Sequence, residues 1–343
     1  MTFSQNIISW YLQNKRELPW RDTKDPYKIW LSEVILQQTR VAQGLPYYEK
    51  FIQSFPTVTD LAQADEQQVL KIWQGLGYYS RARNLHHTAQ IVANDLDGIF
   101  PSTYNELIKL KGIGSYTAAA IASFSYEEPV AVLDGNVYRV LSRYFGVETD
   151  ISSSKAKKEF QQLADEVLDR NRPSLFNQAI MEFGALQCVP KNPDCESCVL
   201  NQTCTAFREN KVDKLPVKLK KTKITKRFLH YLVLSDNQNR TFIQKRENGI
   251  WKNLYEFPFL EFEHEKSLEE VEAEIQLKYL KHQIQAIFVF EEKPLVHKLS
   301  HQHLYIYFWK VEIIANLENS YEFLQLKEYP FPIVLYNFIE KKL

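Results

Sequence analysis

All four cysteines of this 343-residue chain lie between positions 188 and 204, spaced Cys188-x6-Cys195-x2-Cys198-x5-Cys204. Four thiols in so short a run can surround one metal centre, and the loops between them are long enough to wrap it. A chain without other cysteines gives disulfides little scope. Zinc sites usually use two close pairs separated by a longer span, whereas this run has a single C-x2-C pair. A cubane iron–sulfur cluster needs four thiolates and accepts uneven spacing. Cluster, zinc and free thiols all remain open from spacing alone, but a metal is the expectation.

Composition sets the frame for that loop. Hydrophobic residues make up 45 % and charged residues 24 %, which excludes wholesale disorder. The length suits two or three domains. Met1 to Trp20 mixes Ser, Gln, Asn and Lys among its apolar residues, and no run approaches the ~18 apolar residues of a spanning helix. The expectation is therefore a cytoplasmic protein with no signal peptide and no membrane.

The formal net charge is zero, which by itself argues against a nucleic-acid partner. Divided along the chain, it becomes −3 over residues 1–210, +7 over 211–227 and −4 over 228–343. The basic stretch KVDKLPVKLKKTKITKR reads as an exposed linker, either a solvated tether or a strap along phosphates. Before it, amphipathic stretches such as Asp60–Trp73, Asn84–Asn94 and Lys155–Arg170 predict an all-helical unit. After it, Phe228–Leu234, Thr241–Lys245, Gln285–Phe290 and Leu304–Val311 read as strands, with a helix over 267–281. Residues 315–343 carry no usable motif.

Within the helical unit, residues 105–123 read as a short helix to Lys111, a Gly112-Ile113-Gly114 turn, and an Ala-rich helix from Ser115. Glycine lets the backbone turn and lets another group approach closely. The N-terminus of the second helix offers unpaired N–H groups to a phosphate. A plain helical hairpin is the competing reading. Asp25-Pro26 looks like an N-cap with proline at the first helical position, starting a helix to about Val41 that carries Glu33 on a face with Ile29, Leu36 and Gln37. Asp134 follows the apolar run Val130–Leu133 and precedes Gly135, which places it at a loop-to-helix junction.

The hairpin and the cysteine run together resemble the helix-hairpin-helix DNA glycosylases with a cluster loop, the endonuclease III superfamily, and within it the adenine-excising branch. The likeness extends through Leu18–Arg21, Trp30–Thr39, Gly75–Asn84, Leu133–Val137, Phe176–Ala179 and Glu182–Ala185. It implies a multidomain chain. Residues 1–210 would form an all-α glycosylase domain, comprising a six-helix lobe with the hairpin and a lobe with the cluster. Residues 211–227 would be the basic linker, and 228–343 an α/β Nudix-like domain. It also implies a 4Fe-4S cluster on Cys188, Cys195, Cys198 and Cys204. The implied partner is double-stranded DNA containing adenine opposite 8-oxoguanine or G, bound by a monomer.

Breaking an N-glycosidic bond calls for a proton delivered to the base and stabilisation of a cationic sugar, tasks that two carboxylates in unlike surroundings can divide. Apolar neighbours would raise the pKa of Glu33 toward that of a general acid, whereas Asp134 would stay ionised near the sugar. The resemblance implies that Glu33 protonates adenine N7 and handles the attacking water. It gives Asp134 the oxocarbenium ion, and sets Asn136 and Tyr116 to hold these carboxylates. Arg16, Leu18, Trp20, Arg21 and Glu182 match the adenine pocket. Gln38, Thr39, Leu76 and Tyr78 match residues that contact or wedge into the base stack, and Gly112 and Gly114 would meet phosphate. Tyr116 stands where the strand-cleaving branch has a lysine, and a phenol cannot form a Schiff base. A monofunctional glycosylase is therefore expected.

In the C-terminal part, Gly249–Pro258 and His297–His301 resemble stretches of a Nudix-like domain that recognises 8-oxoguanine, with Ser300 and His301 as its polar pair and Leu299 where phenylalanine is usual. The acidic stretch Leu268–Glu274 lacks the glutamate arrangement of a Nudix hydrolase, so no diphosphate hydrolysis is expected. Two other readings compete. One is a thymine or oxidised-pyrimidine glycosylase, disfavoured by Gln37-Gln38-Thr39 and the C-terminal part. The other is a non-catalytic iron–sulfur DNA-binding or redox-sensing protein, disfavoured by the Glu33 and Asp134 pair.

Overall fold

The computed structural model describes residues 2–219, 223–279 and 283–343, which divide into two compact units. One comprises residues up to Gln63 together with Asn84–Lys220, and the other Ala64–Arg83 together with Lys221–Leu343. The second unit thus contains a 20-residue piece of the N-terminal half. Residues 220–222 of the expected linker and 280–281 of the expected helix fall outside the described residues.

The helices in chain order are α1 (Phe3–Asn14), α2 (Pro26–Leu36), α3 (Val41–Ser54), α4 (Val58–Gln63), α5 (Glu66–Trp73), α6 (Ser80–Asp95), α7 (Tyr104–Leu107), α8 (Ser115–Tyr126), α9 (Gly135–Phe145), α10 (Ser154–Val167), α11 (Pro173–Leu186), α12 (Thr205–Arg208), α13 (Leu268–Lys278) and α14 (Ile333–Lys342). Local chemistry sets several of their ends. Thr2 and Gln5 form a reciprocal capping box on α1, and Asp25 accepts from the Tyr27 N–H at α2, where Pro26 needs no donor. The expected single helix over Asp60–Trp73 is two, because Asp65 caps α5 with its side chain and so ends the preceding run.

Two further boundaries differ from the sequence reading. α2 stops at Leu36 and not at Val41, because Gln38 takes a left-handed backbone with φ 56° that no helix accommodates. Gln37, Gln38 and Thr39 therefore lie in a loop. The hairpin's first helix ends at Leu107, and turns carry the chain to Gly112, whose φ of 84° starts the reversal. A Cβ at Gly112 would sit 2.7 Å from that of Asn84, so conformation and packing both demand glycine there.

α11 is the spine of the first unit, packing against α1, α8 and α9. It buries Phe176, Ile180 and Phe183, and its Gly184 lets α9 approach so closely that a Cβ would lie 2.7 Å from that of Asn136. Ala118, Ala119 and Ala120 are buried on α8, which packs against α2, α7 and α11. The segment 211–219 is not a free tether. Arg143 donates to the Val212 and Leu215 carbonyls, Ile151 N–H to that of Val217, and Leu219 N–H to Asp150.

The second unit is built on a five-stranded mixed sheet, with β1 (Thr225–Ser235), β5 (Phe259–Phe262), β6 (Ile284–Val289), β7 (Leu295–Lys298) and β8 (Gln302–Ile313). The short strands β2 (Arg240–Thr241), β3 (Gln244–Lys245), β4 (Tyr255–Glu256) and β9 (Tyr321–Glu322) pair in twos beside it. β1 runs parallel to β8, and β5, β6 and β7 are antiparallel to their neighbours. β1 is buried on both faces from Phe228 to Ser235. Alternation sends Leu232 and Leu234 to Val271 and Ile275 of α13, while on β8 the Phe308 ring stacks on Phe338 of α14 at 3.7 Å. Each face of the sheet is thus covered by a helix. The single strand expected over Thr241–Lys245 is divided, β2 pairing with β9 and β3 with β4.

Candidate active site

Glu33 is the most unusual side chain of the first unit. It lies on α2, 6 % exposed, and accepts a hydrogen bond from the Tyr116 hydroxyl of α8. Burial pushes its carboxyl up to about 7, helped by the nearby negative Asp134 and opposed by the Tyr116 bond and by Arg21. The Tyr116 phenol is driven upward by the same burial and by the two carboxylates, so it remains a donor.

Asp134 is the N-cap of α9. Its carboxylate accepts from the N–H groups of Asn136 at 2.8 Å and Val137 at 2.7 Å and from the Asn136 amide at 2.8 Å. Burial raises this carboxyl, and those three donors and Arg139 act against burial by favouring the ionised form. Asn177 fixes the approach to the cap, donating to the Val130 carbonyl and Ser123 and accepting from Val132 N–H. Asn136 is itself held by Arg139, which also donates to the carbonyls of Gly184 and Cys188. Bonded neighbours thus run from Asp134 through α9 to the cysteine loop.

Beside Glu33 a pocket is lined by Trp20, Arg21, Ile29, Ser32, Phe124, Gln178 and Met181. Of the five residues matched to a base pocket, Trp20 and Arg21 line it. Leu18 is buried. Glu182 does something different: it is 1 % exposed and receives both guanidinium groups, Arg16 at 2.8 and 2.6 Å and Arg21 at 3.0 and 2.6 Å. Burial would raise its carboxyl, but these bonds hold it at about 2. Glu182 and Arg16 therefore hold Arg21, which reaches the pocket. Sequence reasoning missed Gln178, Met181 and Phe124; the helical spacing of 178, 181 and 182 on α11 is the signal that would have found the first two.

The four cysteines line one cavity with Val140, Arg143, Tyr144 and Phe183, and none is disulfide-bonded. The Cys188 N–H closes the end of α11, and Arg143 places a nitrogen 3.4 Å from the Cys188 sulfur. Four thiols converging on an apolar, cation-flanked cavity make a donor set suited to a thiolate-bound centre. No group of three or more His, Cys, Asp or Glu among the described residues is arranged to hold a single metal ion.

The remaining expected contacts are on exposed turns. Gly114 caps α8 and faces open space, and Gln38 is exposed beside half-buried Thr39. In the second unit, Tyr78 is 45 % exposed with φ 46°, whereas Leu76 is buried, so of this pair only Tyr78 presents its side chain outward. Non-glycine residues held at positive φ are strained, and strain of this kind gathers at functional sites. Ser300 and His301 form the exposed tip of the β7–β8 hairpin, with the Ser300 hydroxyl 3.3 Å from His301 Nδ1.

A buried carboxyl lining a small aromatic and cationic pocket, with the helix-capping Asp134 near it, is the arrangement expected of a glycosidic-bond hydrolase. Residues 31–166 match the family described as HhH-GPD superfamily base excision DNA repair protein, and 230–341 match the NUDIX domain. A thermostable thymine-DNA glycosylase superposes with a TM-score of 0.56 at 28 % identity, over 60 % of this chain and 95 % of its own. Endonuclease III bound non-covalently to DNA gives 0.53 at 20 % identity, over 61 % and 99 %, which is a likeness of fold. The adenine DNA glycosylase of Buchnera aphidicola subsp. Baizongia pistaciae is 38 % identical over 323 residues, covering 92 % of this chain and 89 % of its own. The chain belongs to the adenine DNA glycosylases.

Proposed function

We propose that this enzyme hydrolyses the N-glycosidic bond of adenine paired with 8-oxoguanine or G in duplex DNA, and that it does so without cleaving the strand. The observation that carries the reading is Glu33, a carboxyl raised to about 7 and held by Tyr116 beside the capped Asp134. A general acid works best with a pKa near the working pH. Protonated Glu33 gives its proton to adenine N7 as the C1′–N9 bond breaks and its electron pair leaves with the base. Asp134 stabilises the oxocarbenium ion, by charge or by a transient covalent adduct. The ionised Glu33 then takes a proton from the water that attacks C1′. Asn136 fixes Asp134, and Trp20 and Arg21 contact the extruded base, with Arg16 and Glu182 holding Arg21 and Leu18 buried in the preceding turn of chain.

Extrusion costs a few kcal/mol, least at a mismatch. Tyr78 enters the gap from its strained turn, with the buried Leu76 supporting that turn; Gln38 and Thr39 contact the DNA from their own loop, while N–H groups at Gly112 and Gly114 hold phosphate. The tip at Ser300 and His301 reads 8-oxoguanine. Cys188, Cys195, Cys198 and Cys204 would hold a 4Fe-4S cluster, which cross-links the loop after α11 when bound. Purified enzyme should then contain about four irons per chain with visible absorption; zinc in their place would remove the cluster assignment.

The decisive assay is excision on duplexes with adenine opposite 8-oxoguanine, G, C and T, with and without alkali. Breaks that need alkali, a preference for 8-oxoguanine, and loss of excision in Glu33→Gln are the expected results. A borohydride-trapped adduct abolished by replacing one lysine would overturn the monofunctional mechanism.

A further inference from the structure

The segment that joins the C-terminal half in one compact unit, Ala64–Arg83, contains the Gly75–Tyr79 loop. Hydrogen bonds bracket that loop on both sides. Ahead of it, the Asn253 amide donates to Glu66 at 2.6 Å and the Tyr255 hydroxyl to Gln67 at 3.1 Å. Lys71 donates to the Tyr329 carbonyl at 3.1 Å, and Phe331 N–H to Gln74 at 3.0 Å. Beyond it, Arg83 donates to the Lys252 carbonyl at 2.8 Å. Every one of these partners lies in the sheet-containing part of the unit.

The loop held this way is stiff in itself. Gly75, Gly77 and Tyr78 all have positive φ, and the Trp73 indole donates to the Gly77 carbonyl at 3.0 Å. The stretch that supplies Lys252, Asn253 and Tyr255 is also wound tightly, with Gly249, Trp251 and Asn253 left-handed. Its buried Trp251 ring lies 5.9 Å from that of His297 on β7, the strand leading into the Ser300–His301 tip. The 249–255 stretch therefore touches the loop segment on one side and the hairpin on the other.

We propose that Asn253 and Tyr255 are positioning residues for base extrusion. They fix α5, and with it the angle at which Tyr78 meets the helix, so that the sheet-containing domain governs the opening of the adenine pair as well as the reading of its partner. The proposal rests on the wedge role given to Tyr78 above.

The test uses the full chain and single-turnover excision on two substrates, adenine paired with G and adenine unpaired in a bulge. Asn253→Ala with Tyr255→Phe is expected to slow excision about tenfold on the paired substrate, the scale of one lost hydrogen bond to a charged group. It should leave the bulged substrate unchanged. Added to Tyr78→Ala, the pair should produce no further slowing, because both act through the same side chain. Equal slowing on both substrates, or additive slowing on Tyr78→Ala, overturns the proposal. Should Tyr78→Ala alone leave paired excision untouched, the wedge reading falls, and the positioning role falls with it. Tyr255→Phe alone removes one hydroxyl and serves where the double variant folds poorly.

Discussion

At the scale of the residue, Glu33 shows what burial does to a carboxyl. Its proton affinity in the folded state exceeds that of the ordinary group, from 4.5 to about 7. The folded state therefore holds a proton over that range that the unfolded state has lost, so stability falls as pH rises from about 4.5 to 7. At ~1.4 kcal/mol per pH unit, the full effect is on the order of 3 kcal/mol. Glu33→Gln removes the titration and keeps an acceptor for Tyr116. The variant should unfold at higher urea than the parent above pH 7 and match it below pH 4.5, while excising nothing. In the parent, single-turnover excision should decline about tenfold per pH unit above about 7, as the acid form is lost. Glu182 behaves in the opposite sense. Held at about 2 by two guanidinium groups, it is ionised at every working pH. Glu182→Ala would leave Arg16 and Arg21 facing each other without a counter-charge, at a cost of about 3–5 kcal/mol in urea unfolding.

At the scale of the element, a helix terminus and a glycine set the second carboxylate. Asp134 caps α9, and α9 lies where it does because Gly184 on α11 admits Asn136. Gly184→Ala would push a methyl carbon into the Asn136 side chain and backbone. The expected result is about 1–3 kcal/mol of destabilisation from overpacking, with excision lost beyond what unfolding explains, measured under conditions where the variant is fully folded. This contact was not legible in the sequence, where Gly184 stood only within a matched stretch. The cap at Asp134 was legible, because an acidic residue between an apolar run and a glycine has few other uses. Helix α8 was legible to its first residue, since Gly114 and the alanines mark it. The end of α2 was not, because the left-handed turn at Gln38 falls on a residue with no local preference for it. Nor was the role of Glu182, since the pairing with Arg16 and Arg21 spans over 160 positions of sequence. Residues 315–343 gave no pattern, yet they hold α14, whose Phe338 covers one face of the sheet by stacking on Phe308.

At the scale of the molecule, zero net charge conceals an uneven distribution, and the structure narrows where the basic excess is free to act. Of the cations in 211–227, Lys211 is paired with Glu148 and Glu209, and Arg227 with Glu261. Lys214, Lys218 and Lys223 are exposed. The backbone of 211–219 is tied to the first unit, so Lys214 and Lys218 project from a fixed track and not from a loose tether, while Lys223 belongs to the second unit. Cations on a fixed backbone meet phosphates with little entropy to lose, and each phosphate neutralised adds ~0.9 to the slope of log affinity against log salt. Replacing Lys214, Lys218 and Lys223 by glutamine should therefore flatten that slope by up to about 3. The single-turnover rate on saturated DNA should stay unchanged, because the site at Glu33 and Asp134 is untouched. Fluorescence anisotropy on one duplex across a salt series measures the first and quenched excision the second. An unchanged slope would shift the electrostatic contribution away from this segment, and not toward the N–H groups at the start of α8. Those groups carry no side-chain charge and release no counterion of their own, so a steep slope that survives the triple substitution would require cations elsewhere on the two units.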